Sequence, residues 1–173
     1  MTFMFESPPY DARSIANFVL DRAASQSIGI SNLHIHKILY FAHGSFLLQR
    51  NRQLIAQHFE AWEYGPVIQD LYHQFKKFDR SAILERATRL NVLTAQYEIA
   101  QYQLEDKDAE LLTELVDYFI RIPAEMLSEW SHAKDGPWYE AWHYEGKSNP
   151  GMKINNRAIA QWFATTQARE RKV

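Results

Sequence analysis

The sequence contains no cysteine. This absence excludes a disulfide framework, a thiolate zinc site and a cysteine nucleophile, and it fits a reducing compartment. No apolar run reaches the roughly 18 residues that a membrane-spanning helix needs. Met1–Tyr10 lacks a basic stretch followed by a long apolar run, so we expect no signal peptide. Together these absences predict a cytoplasmic protein without membrane attachment.

An excess of positive charge is also missing, because the formal net charge is -2. A protein without a basic footprint is not expected to bind nucleic acid. The sequence has no glycine-rich phosphate loop and no paired acid motif of a hydrolase. We therefore expect a protein that is not an enzyme.

Aromatic residues are abundant, with five Trp, nine Tyr and ten Phe. Hydrophobic residues make up 46% of the 173-residue chain, which favours a packed globule over disorder. This length is typical of a single domain. We expect one domain over residues 1–173, with a loop and a helix at 143–173. Its aromatic side chains can serve the core or an interface, since they dominate both.

The first half of the chain predicts two capped helices. Asp11 is a suitable N-cap for a helix over Ala12–Ser25, where apolar residues recur at helical spacing. Ser31 caps a second helix that extends to about Arg50 and is apolar on nearly all sides. Such a helix is expected to be buried at the centre of the fold. Gly44 in its middle allows a close approach of another element.

Strands are predicted in two places. His58–Tyr64 has the aromatic content of a short strand, and Gly65-Pro66 is expected to end it and to begin a helix at Val67–Phe78. Between Val92 and Leu104, apolar and polar residues alternate, which predicts a half-buried strand paired with the first. The intervening segment, 80–90, is ambiguous and could form a charged helical turn.

The second half predicts further helices and an aromatic turn. These elements are a helix from Asp106 that Pro123 ends, a helix over Ala124–His132, a short aromatic turn at Trp138–Trp142 and a last helix over Arg157–Thr166. The predicted fold is mainly α: one compact helical domain around a buried central helix, with a small two-stranded β element.

Three segments carry a recognisable pattern: Leu33–Gly44, Ala61–Val67 and Trp130–Trp138. In this order they resemble the Panacea (SocA-like) antitoxin domain, and the resemblance extends over about residues 10–142. Ser131 stands where the family has threonine, which keeps the hydroxyl. The motif residues are Lys37, Tyr40, Gly44, Trp62, Gly65, Pro66, Trp130, His132, Pro137 and Trp138.

The resemblance implies a bacterial or prophage antitoxin that binds a cognate toxin encoded nearby. Two alternatives remain open at this point: an adaptor that delivers a toxin to an AAA+ protease, and a DNA-binding autoregulator. The second is disfavoured because no basic recognition helix is apparent. A homo-oligomer is also possible. As candidate partner-binding aromatics we select Tyr64, Tyr72, Trp138, Tyr139 and Trp142.

Lys37 lies within the apolar helix and therefore needs a partner or a route to solvent. The sequence offers Glu60 or Glu63 as a partner, and extension of the side chain to the surface is the other solution.

The seven histidines raise the possibility of a metal site. His34 and His36 would point to different sides of a helix, and His36 and His43 share a face without an accompanying carboxylate motif. Ser131 and His132 are adjacent, which rarely gives the geometry of a nucleophile and its base. We expect no metal, no cofactor and no catalytic residue.

Overall fold

The computed structural model describes residues 8–170. Within this range the protein is mainly α, as predicted. The helices are α1 (Ala12–Ser25), α2 (Asn32–Arg50), α3 (Gln69–Phe75), α4 (Asp106–Phe119), α5 (Ala124–Ser131), α6 (Pro137–Trp142) and α7 (Asn156–Glu170). The strands are β1 (Glu60–Trp62), β2 (Gly65–Val67), β3 (Thr88–Asn91), β4 (Gln96–Ile99) and β5 (Met152–Lys153).

Helix α2 is the centre of the fold. It begins at the predicted cap, where the Ser31 side chain accepts a hydrogen bond from the His34 N–H at 3.2 Å. Thirteen of its 19 residues are buried, whereas Gln49, near its C-terminal end, is exposed. The helix packs against α4, α5, α7 and β2. The prediction that this largely apolar helix is buried at the centre of the fold is confirmed.

Gly44 allows α7 to approach α2 closely. A Cβ atom at Gly44 would lie 2.3 Å from the ring of Phe163 on α7. Any larger residue would therefore displace that ring.

The strand at β1 was correctly predicted, but its continuation was not. Gly65-Pro66 does not begin a helix; it forms β2, which pairs antiparallel with β1 so that Trp62 lies opposite Gly65. Pro66 is tolerated because β2 is an edge strand, where a missing N–H need not break a ladder. Helix α3 begins only at Gln69. On the other edge of β1 lies β5, which completes a three-stranded sheet.

The alternating segment also pairs differently from the prediction. Strand β4 pairs with β3, which immediately precedes it, and not with β1. Closing a short hairpin loop costs less conformational entropy than joining strands more than 30 residues apart. The strand is also exposed along its whole length instead of half-buried. The predicted helical turn before it is absent from the described structure.

The remaining helices match the sequence patterns. Helix α4 begins at Asp106 but ends at Phe119, before Pro123, and α5 follows that proline directly. The predicted aromatic turn is the short helix α6, with Pro137 in its first turn. Among the described helices, not one combines the length and the apolar character that crossing a membrane requires.

Candidate functional site

The three motif segments meet around the turn between β1 and β2. We call this cluster the motif junction; it comprises Lys37 on α2, Trp62, Gly65 and Pro66 on the hairpin, Ser131 and His132 at the end of α5, and Trp138 on α6. Helices α2, α5 and α6 all contact this hairpin. Segments that are separated by up to about a hundred residues in sequence therefore form one structural unit.

Gly65 is the tightest position of the junction. Its φ is +106°, a conformation that side chains other than glycine rarely adopt. A Cβ atom there would lie 2.6 Å from Ser131 Oγ and 2.7 Å from Lys37 Cε. The glycine therefore lets α2 and α5 close on the hairpin from two sides.

Lys37 is fully buried, and its Nζ donates a hydrogen bond to the Pro66 carbonyl at 2.9 Å. The prediction of a carboxylate partner or a route to solvent is wrong. Glu60 instead accepts a hydrogen bond from the Trp62 indole N–H, and Glu63 is exposed. Because burial disfavours the charged ammonium, the pKa of Lys37 falls to about 7.

Lys37 should make the stability of the protein depend on pH. Below about pH 7 the folded and unfolded states both hold the proton, and the burial penalty acts in full. Between about 7 and 10.5 only the unfolded state holds the proton, so stability should rise by an amount on the order of 5 kcal/mol. Urea midpoints measured from pH 6 to pH 9.5 should show this rise in the wild type.

The matched variant is Lys37→Met, which keeps most of the volume without the charge. It should be more stable than the wild type at low pH, and the difference should shrink as the pH increases. A Met variant with the same pH dependence as the wild type would assign the effect to other groups.

Trp138 and His132 hold the turn through its backbone. The Trp138 indole N–H donates to the Trp62 carbonyl at 2.8 Å. His132 lies with Nε2 at 3.1 Å from the Glu63 carbonyl and Nδ1 at 2.5 Å from the Ser128 carbonyl. The ring of His132 packs against Trp138 with centroids 3.9 Å apart.

The adjacent serine and histidine do not form a catalytic pair. The Ser131 hydroxyl donates to the Ser128 carbonyl at 2.6 Å, and neither nitrogen of His132 is bonded to it. These groups of the junction are bonded to backbone carbonyls, which is the arrangement of a structural support.

Two buried histidines of α2, His36 and His43, also support the backbone of neighbouring segments. His36 Nδ1 accepts the Ile68 N–H, and His43 Nδ1 accepts the Ile55 N–H, each at 3.2 Å. Burial lowers the pKa of His36 well below its usual value and that of His43 to about 4, so both rings are neutral at pH 7. In the part of the chain that the structure describes, no three potential metal ligands cluster.

The motif residues outside the junction lie in the core or at its margin. Tyr40 is fully buried, with edge-to-face contacts to Phe41 and Phe59 at 5.4 Å. Trp130 also contacts Phe41, with ring centroids 6.2 Å apart, but keeps 39% of its surface exposed.

The selected partner-binding aromatics differ in exposure. Tyr64, at the tip of the β1–β2 turn, is 66% exposed, whereas Trp138 is only 5% exposed and belongs to the core. Tyr72 is half-buried against the Trp62 ring, 4.7 Å away. Tyr139 and Trp142 are half-buried on α6, where the Trp142 ring stacks on Trp138 at 5.5 Å. Trp138 can support a binding surface but is not accessible itself.

Sequence reasoning missed a group of exposed apolar side chains on the β3–β4 hairpin. They are Leu90, Val92, Leu93, Tyr97 and Ile99. The alternating pattern correctly locates the strand. Alternation also predicts that one face packs on the core, whereas all four residues of β4 are exposed.

Comparison with known proteins is consistent with the motif residues. Residues 35–139 match the family model described as "Antitoxin SocA-like, Panacea domain". The chain is 38% identical over 154 residues to the protein named Antitoxin SocA from Caulobacter vibrioides (strain NA1000 / CB15N). The aligned region covers 88% of this chain and 82% of that protein. No solved structure matches the chain.

Proposed function

The chain belongs to the SocA-like Panacea antitoxin family, and from that premise we propose that it neutralises a cognate protein toxin by binding it, without catalysis. The observation that carries this proposal is the convergence of the three motifs on one hairpin. The hydroxyl, imidazole and ammonium groups of Ser131, His132 and Lys37 are directed at backbone carbonyls. A junction of this kind holds the hairpin in place and thereby orients the surface beside it.

The surface that it orients is aromatic. The Tyr72 ring packs on Trp62, whose carbonyl accepts the Trp138 indole, and Trp142 stacks on Trp138. Tyr64 projects from the turn beside this row, with its carbonyl held by Ser128. Tyrosine and tryptophan provide large contact areas at a low loss of rotamer freedom.

We assign toxin contact to Tyr64, Tyr72, Tyr139 and Trp142, with Trp138 as their buried support. The complex would form in the cytoplasm and would involve neither nucleic acid nor a membrane. Delivery to an AAA+ protease is one outcome of the test below, and a homo-oligomer stays a prediction.

Co-expression with the product of the adjacent gene should rescue cells from its toxicity. The expected basis is a direct complex, so the two purified proteins should also associate in a pull-down. Rescue that disappears in a strain lacking the AAA+ proteases, while the complex persists, would establish delivery for proteolysis instead of simple blocking. If the wild type neither binds nor protects, the antitoxin function is refuted.

Alanine variants localise the surface in the same assay. Tyr64→Ala should weaken binding by about 2 kcal/mol, roughly thirtyfold, if this side chain is an interface anchor. Tyr118→Ala is the matched control, since Tyr118 is similarly exposed, at 59%, but lies on α4 away from the hairpin turn. Circular dichroism should show both variants folded. Equal loss of binding in the two variants would contradict the assignment.

A further inference from the structure

The β3–β4 hairpin carries a dense set of exposed apolar side chains. Val92 and Leu93 in the turn are 84% and 93% exposed, and Tyr97 on β4 is 74% exposed. Leu90 and Ile99 are about half exposed, at 48% and 54%. Isolated exposed apolar residues are ordinary, but a contiguous group on one element indicates an interaction surface.

The strand register places Leu90, Tyr97 and Ile99 on one face of the hairpin. Leu90 lies opposite Tyr97 and Thr88 opposite Ile99, and cross-strand pairs share a face of a ribbon. The intervening pairs, Arg89 with Glu98 and Asn91 with Gln96, form the other face. The hairpin is therefore amphipathic, although neither strand is buried along its length.

The base of the hairpin is held rigidly. The buried Asn17 side chain donates to the carbonyls of Ala87 and Ala100 and accepts the Ala87 N–H. The Gln74 side chain bonds the N–H and the carbonyl of Thr88 at the outer edge of β3. An element that is fixed at its base loses little conformational entropy when its outer part binds.

The outer edge of β4 presents free backbone groups. The Ala100 N–H donates to the Ala87 carbonyl, so these two residues form a hydrogen-bonded pair of the antiparallel ladder. Hydrogen-bonded and non-hydrogen-bonded pairs alternate along such a ladder, which makes the pairs of Ile99 and Tyr97 non-hydrogen-bonded. The N–H and carbonyl groups of Tyr97 and Ile99 consequently point away from β3. Among the described residues this sheet has two strands, so no strand covers that edge.

We propose that β4 is a docking edge that accepts an extended apolar segment of the toxin as a third strand. This inference rests on the proposed function and adds the structural class of the segment that is recognised. Main-chain hydrogen bonds to Tyr97 and Ile99 would supply affinity, and apolar side chains at alternate positions would cover the exposed face.

Charge argues against a second copy of this chain as the occupant. Suppose that two copies paired antiparallel through β4, with Tyr97 of each copy opposite Ile99 of the other. Glu98 would then lie opposite Glu98 of the second copy. Like charges directly opposite each other destabilise a strand pair. This repulsion favours a segment of a different protein that carries a neutral or basic residue at that position.

A membrane or nucleic acid fits the hairpin less well. The tip, residues 91–96, contains no lysine or arginine, and the arginines before it are offset by carboxylates: Arg89 lies opposite Glu98 and Arg86 bonds Asp21. Apolar segments that bind anionic lipid surfaces are usually flanked by basic residues, and nucleic acid requires them.

The edge can be tested by photo-cross-linking in cells. Benzoylphenylalanine replaces Tyr97 in one strain and Tyr118 in another, and each is expressed with the adjacent gene product. The expected result is a cross-link to that product from position 97 and not from position 118. Cross-links from position 97 only to a second copy, only to lipid, or to nothing would overturn the proposal.

Backbone participation is tested by Ile99→Pro with Ile99→Thr as its control. Proline removes an outward N–H without breaking the β3–β4 ladder, whereas threonine retains it and favours strands. Binding should fall at least tenfold more for proline than for threonine. If Ile99→Pro unfolds, Leu90→Ser and Tyr97→Ser test the apolar face of the hairpin, and they should weaken binding by a similar factor. Gln96→Ser and Glu98→Gln, on the polar face, are their controls and should retain binding.

The outcomes separate this proposal from the proposed function. Rescue by the wild type without a cross-link at position 97, or with full binding by the proline variant, would refute the docking edge alone. Cross-linking to the adjacent gene product without rescue would refute neutralisation and support the edge.

Discussion

Gly65→Ala is expected to destabilise the folded protein by about 3 kcal/mol. The positive φ contributes about 1–2 kcal/mol of strain for a residue with a Cβ atom. Crowding against Lys37 Cε and Ser131 Oγ adds about 1–3 kcal/mol, because both lie within 2.7 Å of the new atom. The free energy of unfolding, measured by urea titration at pH 7.5, provides the test.

The matched control is Gly146→Ala. Gly146 also has a positive φ, +68°, but nothing lies within 4 Å of a Cβ atom there. This variant should show the backbone strain alone, about 1–2 kcal/mol. Equal effects at the two glycines would mean that the junction tolerates the extra atom, and that its close packing around Gly65 contributes little to stability.

Ile38→Asp should abolish the native fold. Ile38 is completely buried in the middle of α2, and an unpaired carboxylate there costs several kcal/mol. Domains of this size are stable by only about 5–15 kcal/mol, so one such penalty consumes much of the total. We expect this variant to lose the cooperative thermal transition that near-ultraviolet circular dichroism records for the wild type.

Two further variants make this result specific. Ile38→Val removes one methyl group and should cost only about 1 kcal/mol. Ile99→Asp makes the same chemical change at a position that is 54% exposed, and it should leave the fold intact. If Ile38→Asp retained a cooperative transition, α2 would not be the tightly packed centre that the structure describes.

Much of the helical structure followed from local patterns. The caps at Asp11 and Ser31 located α1 and α2 to within a residue, because capping is a contact between neighbours in sequence. The all-round apolar character of α2 predicted its burial correctly. The three motifs identified the family. That residues 1–173 act as a single domain stays a prediction.

The pairing of the strands was not predictable in this way. Gly65-Pro66 has the composition of a helix start, yet it forms an edge strand because β1 offers a partner across a two-residue turn. For β4, alternation correctly indicated a strand but not its environment. Whether an alternating face packs on the core or meets solvent depends on which element lies opposite it.

The amino-acid sequence alone was enough to predict where the main helices begin, which helix is central and which family the chain belongs to. Each of these properties depends on residues within a few turns of one another or on the order of motifs. The folded structure was needed to show that Lys37 bonds the Pro66 carbonyl, that Trp138 is core while Tyr64 is exposed, and that β4 has a free edge. These features depend on contacts between segments 29 to 76 residues apart, as in the Lys37–Pro66 and Trp62–Trp138 hydrogen bonds, and no local pattern encodes them.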